Sequence, residues 1–234
     1  MAGTSTATLH YIHDPLCGWC YGAAPLVRAA REVMPVVAHA GGTMTGARRQ
    51  MVTPQLRDYV MPHDRRIAQV SGQPFGAAYF DGLLRDESAV FDSAPPIAAM
   101  LAAEQLAGHG LDLLSRLQTA HYVEGRRIAD RDVLVDMAQA IGLDGAAFEA
   151  TLSEVEGDPL QAHIGDTREL MARVGAQGFP SFALEVDGRL APVDTGRFMG
   201  QPEAFARWLR ERVPAAAAPV AAPAFGCDLD ACGF

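Results

Sequence analysis

The sequence predicts an α/β fold in which two strand-bearing segments flank one long all-helical block. Three observations predict it. An apolar run at 7–13 (ATLHYIH) gives way to helical spacing and then to a second apolar run at 36–40 (VVAHA). From about 53 to 176, apolar residues recur at helical intervals with no strand-like alternation. Alternation returns at 181–193, and helical spacing follows it.

Each element has its own signal. Asp14-Pro15 breaks the first strand, and Ala23, Leu26, Val27, Ala30 and Val33 or Met34 then share one helical face until Pro35 stops it. A strand–helix–strand crossover normally makes a parallel pair. In the helical block, Val133, Leu134, Met137, Ala138 and Ile141 form a stripe closed by Gly142, with Asp130 or Asp132 as N-cap. Leu113, Leu114, Leu117 and His121 mark a second stripe, and Asp158-Pro159 opens a helix of about 15 residues ending near Gly175. SFALEV (181–186) and RLAPV (189–193) form a hairpin across Asp187-Gly188, with Pro192 placing the second strand at an edge. A helix at roughly 201–212 turns Phe205, Trp208 and Leu209 inward. From Pro214 the composition becomes Ala/Pro-rich with nothing to bury. The chain thus divides into a βαβ segment (1–52), a helical block (53–176), a ββα segment (177–213) and a tail (214–234).

Composition narrows the function. Of the 234 residues 49% are apolar, enough for a sizeable core without disulfide staples. The formal charge of −9 disfavours a nucleic-acid or anionic-membrane surface, either of which needs a clustered basic face. MAGTSTATLHYI has no cationic stretch leading into an apolar core, so it does not read as a secretory signal. No apolar run reaches the roughly 18 residues of a membrane span. The expected compartment is the cytoplasm. GGTMTGAR (41–48) has Ala47-Arg48 where a phosphate loop needs Lys and Ser/Thr, and reads as a plain loop. The seven histidines show no metal-ligand spacing.

Four cysteines fall in two close pairs, Cys17/Cys20 and Cys227/Cys232, and in a reducing compartment such pairs serve catalysis or metal binding more often than structure. Cys17 stands at the start of a helix, where unpaired N–H groups favour the thiolate that attacks disulfides. At C-x-x-C spacing the second sulfur lies one turn on, placed to close a disulfide or resolve a mixed one. A second signal is GFPSF (178–182): Pro180 opens a strand and forfeits a ladder donor, which suits a cis Phe179–Pro180 bond that leaves the Phe179 backbone free for an extended peptide.

With DPLCGWCYG, a helical insertion and GFPSF in that order, the chain resembles the DsbA family of thioredoxin-fold thiol–disulfide oxidoreductases, most of all its FrnE-like, disulfide-isomerase branch. The resemblance covers about residues 7–212. It implies a thioredoxin-like fold with a large all-helical insertion, a nucleophile at Cys17, a resolving thiol at Cys20 and a cis proline at Pro180 facing them. Many relatives carry Pro between the cysteines where this chain has Gly18-Trp19, which leaves the direction of electron flow open. Thioredoxin relatives also keep a buried carboxylate about six residues before the first cysteine; here that position is Tyr11. Either a tyrosine or water then serves the proton transfer at Cys20, or another acid does, Asp14 being the nearest by sequence; His13 is a candidate for stabilising the Cys17 thiolate, although a histidine ending a strand is more often a solvated or capping group.

The expected activity is exchange of disulfides with protein or peptide substrates, with glutathione or a thioredoxin system as thiol donor or acceptor and no organic or metal cofactor. Trp19 and Phe179 are candidate substrate contacts. Tyr21, Phe75, Tyr79 and Phe80 either join Trp19 in an apolar client surface or, for the last three, form core under the helical block. Cys227 and Cys232 either relay electrons to Cys17, form a separate disulfide, or complete a zinc site with the first pair. Two rival classes stand beside the oxidoreductase: a glutathione-dependent isomerase or transferase of related fold, for which Cys20 is dispensable, and a zinc-binding or chaperone-like module.

Overall fold

The computed structural model describes residues 6–213. At its centre β1 (Ala7–His13) lies between two neighbours, parallel to β2 (Val36–Ala40) with Leu9 opposite Val36, and antiparallel to β5 (Ser181–Val186) with Tyr11 opposite Phe182. The hairpin partner β6 (Arg189–Val193) closes the far edge, giving the order β2-β1-β5-β6. Its turn places Asp187 at φ 50° and Gly188 at φ 77°, the paired positive φ values that match hairpin twist. Pro192 therefore sits on an edge strand, as its missing N–H requires.

The first helical segment is two helices rather than one. Helix α1 (Gly18–Gly22) ends at Ala23 and α2 (Ala24–Arg31) restarts there, because Pro25 has no N–H to continue the ladder. Helix α2 packs on one sheet face beside the C-terminal helix α9 (Pro202–Arg210), whose Phe205 and Leu209 are fully buried.

The block expected to be all-helical contains one extended piece. Strand β3 (Gln50–Met51) pairs antiparallel with β4 (Val90–Phe91), a ribbon two residues long and too short to show a period in sequence. Around it stand α3 (Pro54–Ser71), α4 (Ala94–Ala107), α5 (Gly110–Tyr122), α6 (Arg131–Ala140), α7 (Gly145–Val155) and α8 (Asp158–Val174). Thr53 caps α3 by accepting from the Leu56 N–H; Asp130 occupies the N-cap of α6, but its side chain makes no capping bond.

One helix centres the insert and another docks it on the sheet. Helix α4 is apolar almost all round, with Ile97, Ala98, Ala99, Ala102 and Ala103 fully buried between α5 and α7. Helix α8 runs along the edge strand β2, where the His163 ring accepts the Ala40 N–H at 3.0 Å and so occupies one open donor of that edge. Helix α3 rests against α1 and carries the insert to the two cysteines.

Candidate active site

The loop after β1 is built around Asp14. Its carboxylate is fully buried and accepts from the Leu16 N–H at 2.9 Å, the Ser93 hydroxyl at 2.9 Å and the Thr43 N–H at 2.6 Å. One side chain thus ties three segments: the turn into α1, the loop after β2 and the start of α4. Burial pushes its carboxyl pKa up, while those donors pull it back. The Asp14 carbonyl accepts from the Cys17 N–H at 3.1 Å, which sets Cys17 as the N-cap of α1.

Cys17 and Cys20 are both free thiols, and their surroundings differ. Cys17 is part-exposed; its sulfur accepts from the Cys20 N–H at 3.3 Å and its thiol donates to the Phe179 carbonyl at 3.6 Å. Cys20, one turn on, has no exposed surface. Burial pushes its thiol pKa well up, the neighbouring Cys17 adds to this, and the Asp14 backbone N–H works against it. The Phe179–Pro180 peptide bond is cis, as expected, and stands opposite Cys17. Trp19, between the two cysteines in sequence, is half-buried.

The position held by a carboxylate in thioredoxins is a tyrosine with a different job. The Tyr11 hydroxyl donates to the Cys20 carbonyl at 3.2 Å, and its ring is stacked between His13 (centroids 4.8 Å apart) and Phe182 (4.9 Å). Burial lifts the phenol pKa well above its usual range, so Tyr11 is a neutral donor rather than a base. His13 departs from expectation. It is fully buried, neither ring nitrogen has a hydrogen-bond partner among the described residues, and burial drives its pKa down to about 3. It is neutral at physiological pH, neither solvated nor capping, and brings no positive charge to Cys17.

The carboxylate that does reach α1 comes from the insert. Asp64 on α3 is nearly buried, accepts the Tyr79 hydroxyl at 2.8 Å, and has its pKa raised to about 6 by desolvation. A Cβ on Gly18 would stand 2.5 Å from Asp64 Oδ1 and 3.0 Å from Ile67 Cδ1. That contact explains why glycine, and not the proline of many relatives, follows Cys17. Sequence reasoning missed Asp64, since nothing in PHDRR marks one acid of an exposed-looking helix as facing inward. Gly18→Ala will cost a net of roughly 1 kcal/mol, an overpacking loss of about 1–3 set against the helix gain of about 1. Paired with Asp64→Ala the same change will be neutral or stabilising; equal urea midpoints for Gly18→Ala and wild type would refute the contact.

Of the aromatic candidates, Tyr79 and Tyr21 belong to the core, stacked or edge-on against the buried Tyr122, with Phe75 and Phe80 packed partly buried beside them. Cys227 and Cys232 lie outside the described residues. Among the described residues, no group of three or more His, Cys, Asp or Glu could hold a metal ion, and no helix is long and apolar enough to cross a membrane.

A two-thiol pair at a strand-to-helix junction, one sulfur open and one sealed, facing a cis proline on a four-stranded mixed sheet, defines a thioredoxin-fold thiol–disulfide oxidoreductase. Residues 8–202 match the model of the DSBA-like thioredoxin domain, and the chain belongs to that family. Among solved structures it is similar to the cytosolic disulfide reductase DsbM from Pseudomonas aeruginosa, at 59% identity over 88% of this chain and 98% of that one, with a TM-score of 0.84. The same reductase solved with GSH matches at 56% identity over 88% and 98% of the two chains, TM-score 0.82. A Nitrosomonas europaea structure, at 23% identity over 88% and 97% and TM-score 0.72, shares the fold. A search among curated proteins found no match.

Proposed function

We propose that this oxidoreductase works as a cytosolic disulfide reductase with glutathione as its thiol partner, using Cys17 as nucleophile and Cys20 as resolving thiol. The thioredoxin-like domain on this reading is 1–52 plus 177–213, with 53–176 inserted. The observation that carries it is the asymmetry of the pair: an accessible Cys17 sulfur 3.6 Å from a substrate-facing carbonyl, above a Cys20 sulfur closed to solvent. Similarity to a cytosolic disulfide reductase, one structure of which holds GSH, supports the direction and the partner.

The Cys17 thiolate attacks one sulfur of a substrate disulfide, forming a mixed disulfide and expelling the first substrate thiol. Cys20, deprotonating as it attacks, then displaces the second thiol from Cys17 and leaves a Cys17–Cys20 disulfide. The substrate gains two electrons and two protons; two glutathione thiols return them to the enzyme and leave as glutathione disulfide. An extended substrate lies along Phe179 and Pro180 with Trp19 at its side.

The test is a titration of the full chain in glutathione buffers, with thiol alkylation and peptide mass spectrometry assigning each cysteine. Reversible interconversion of Cys17/Cys20 within the range the buffer spans is expected. A Cys17–Cys227 or Cys17–Cys232 product would add the tail as an electron relay. A pair that never oxidises, or one that glutathione cannot reduce, would sink the reading.

A further inference from the structure

The loop after β2 gathers two cations beside the candidate active site. Arg48 donates through NH2 to the Gly42 carbonyl at 3.1 Å, and Arg168, from α8, donates to that same oxygen through NH2, also at 3.1 Å. Arg168 Nε reaches the Gly41 carbonyl at 3.3 Å. Both arginines are exposed residues, and among the described residues neither forms an ion pair, whereas the adjacent Arg49 turns away to Asp92 at 3.7 Å. Two NH2 groups on one carbonyl oxygen lie within about 6 Å of each other by geometry alone, and like charges that close repel. In a chain of formal charge −9, such a convergence with no carboxylate between is unusual.

The same loop touches the substrate-facing segment. Gly41 lies so close under the Phe179 ring that a Cβ there would stand 2.3 Å from Cζ, and the Phe179 carbonyl is the group facing Cys17. Gly42, at φ 63°, turns its carbonyl toward the two arginines. The order in space is therefore Cys17, Phe179, Gly41-Gly42, then the paired guanidinium groups. Two extended peptide residues span about 7 Å, a reach suited to crossing one phenylalanine.

We propose that Arg48 and Arg168 form a carboxylate-binding subsite, which takes the terminal carboxylate of a peptide thiol or disulfide whose sulfur faces Cys17. This rests on the glutathione reading above and adds its recognition element. The guanidinium N–H groups not spent on Gly41 and Gly42 remain for the ligand, and the fork geometry of Arg suits a carboxylate where a point charge would not. The carbonyl bonds hold both side chains in place before the ligand arrives, so less rotamer freedom is lost on binding.

Single-turnover oxidation tests this. The reduced full chain is mixed with glutathione disulfide, the enzyme dithiol becoming a disulfide as two glutathione thiols leave. Second-order rate constants are compared with those for uncharged bis(2-hydroxyethyl) disulfide and for carboxyl-esterified glutathione disulfide. In Arg48→Ala/Arg168→Ala the ratio of glutathione disulfide to hydroxyethyl disulfide will fall about tenfold, as expected for losing a charge-assisted contact. Arg168→Lys will recover part of that loss, and the esterified ligand will show no such fall. A ratio within twofold of wild type overturns the subsite, and so does an equal fall with the ester, which would mean the arginines only shape the loop. A wild-type chain that glutathione disulfide fails to oxidise overturns the glutathione reading itself.

Discussion

Lowering the pH from 7 to 5 will cost the folded chain about 3 kcal/mol, a large fraction of the stability of an ordinary domain. The cause is two imidazoles folded into places where they cannot charge. His13 is stacked on Tyr11 at the end of β1 and His121 lies among the rings of Tyr79, Phe91 and Tyr122, and burial holds each pKa down to about 3. Unfolded, both titrate near 6.5, so between the two values the unfolded chain binds more protons and stability falls with pH. Each histidine contributes a loss of roughly 2 kcal/mol over this interval. His39 and His163, also held low by burial, act in the same direction. Asp64 opposes them. Its folded pKa of about 6 exceeds the unfolded value, so it protonates first in the fold and returns roughly 1 kcal/mol as the pH drops; Asp14, raised by burial, shares that sign. Urea unfolding at pH 7, 6 and 5 measures the slope. His121→Leu will flatten it by roughly 1 kcal/mol per pH unit averaged over this interval, approaching one proton, or about 1.4 kcal/mol per pH unit, near pH 5. A stability flat across these pH values would mean that the histidines are hydrated or partnered.

The sequence was most legible where the chemistry is local. Cys17 and Cys20, the strand-to-helix junction and the Asp187-Gly188 hairpin all follow from spacing and turn chemistry within a few residues. Pro180 was readable because proline opening a strand is locally odd, and its partner motif had already suggested a fold. What escaped depends on chain brought from far away. Asp64 reaches Gly18 only because α3 folds back on α1, and Arg168 joins Arg48 across 120 positions through the docking of α8. The burial of His13 arises the same way: a histidine ending a strand looks solvent-facing until distant helices cover it. The two-residue ribbon of Gln50–Met51 and Val90–Phe91 has no period to find. Local periodicity announces elements; it is silent on which faces meet.

Exchanging each thiol for a hydroxyl will separate the two halves of the reaction. Cys17→Ser will slow disulfide exchange by on the order of 10³-fold or more, because it removes the only sulfur of the pair that an incoming disulfide can touch. Cys20 cannot substitute: it has no exposed surface, and burial raises its thiol pKa well above the usual range, so the thiolate is scarce as well as hidden. Cys20→Ser will behave differently. Its Cys17 still attacks, but once the tail cysteines Cys227 and Cys232 are also serine no thiol of the chain displaces the bound half of the substrate, so one mixed disulfide per chain accumulates and turnover stops after the first step. With Cys227 and Cys232 also changed to Ser, mixing each variant with glutathione disulfide and weighing the intact chain distinguishes them: no adduct for Cys17→Ser, and one glutathione adduct on Cys17 for Cys20→Ser. The Cys20 pKa adds a further expectation. Resolution of the mixed disulfide must deprotonate a buried thiol, so in wild type the resolving step will quicken with rising pH and the adduct will linger longest below pH 7. Were Cys20→Ser the inert variant and Cys17→Ser the one that traps, the roles drawn from burial would be reversed. Sustained turnover by Cys20→Ser with glutathione would instead mark a monothiol mechanism, with glutathione itself resolving the Cys17 adduct.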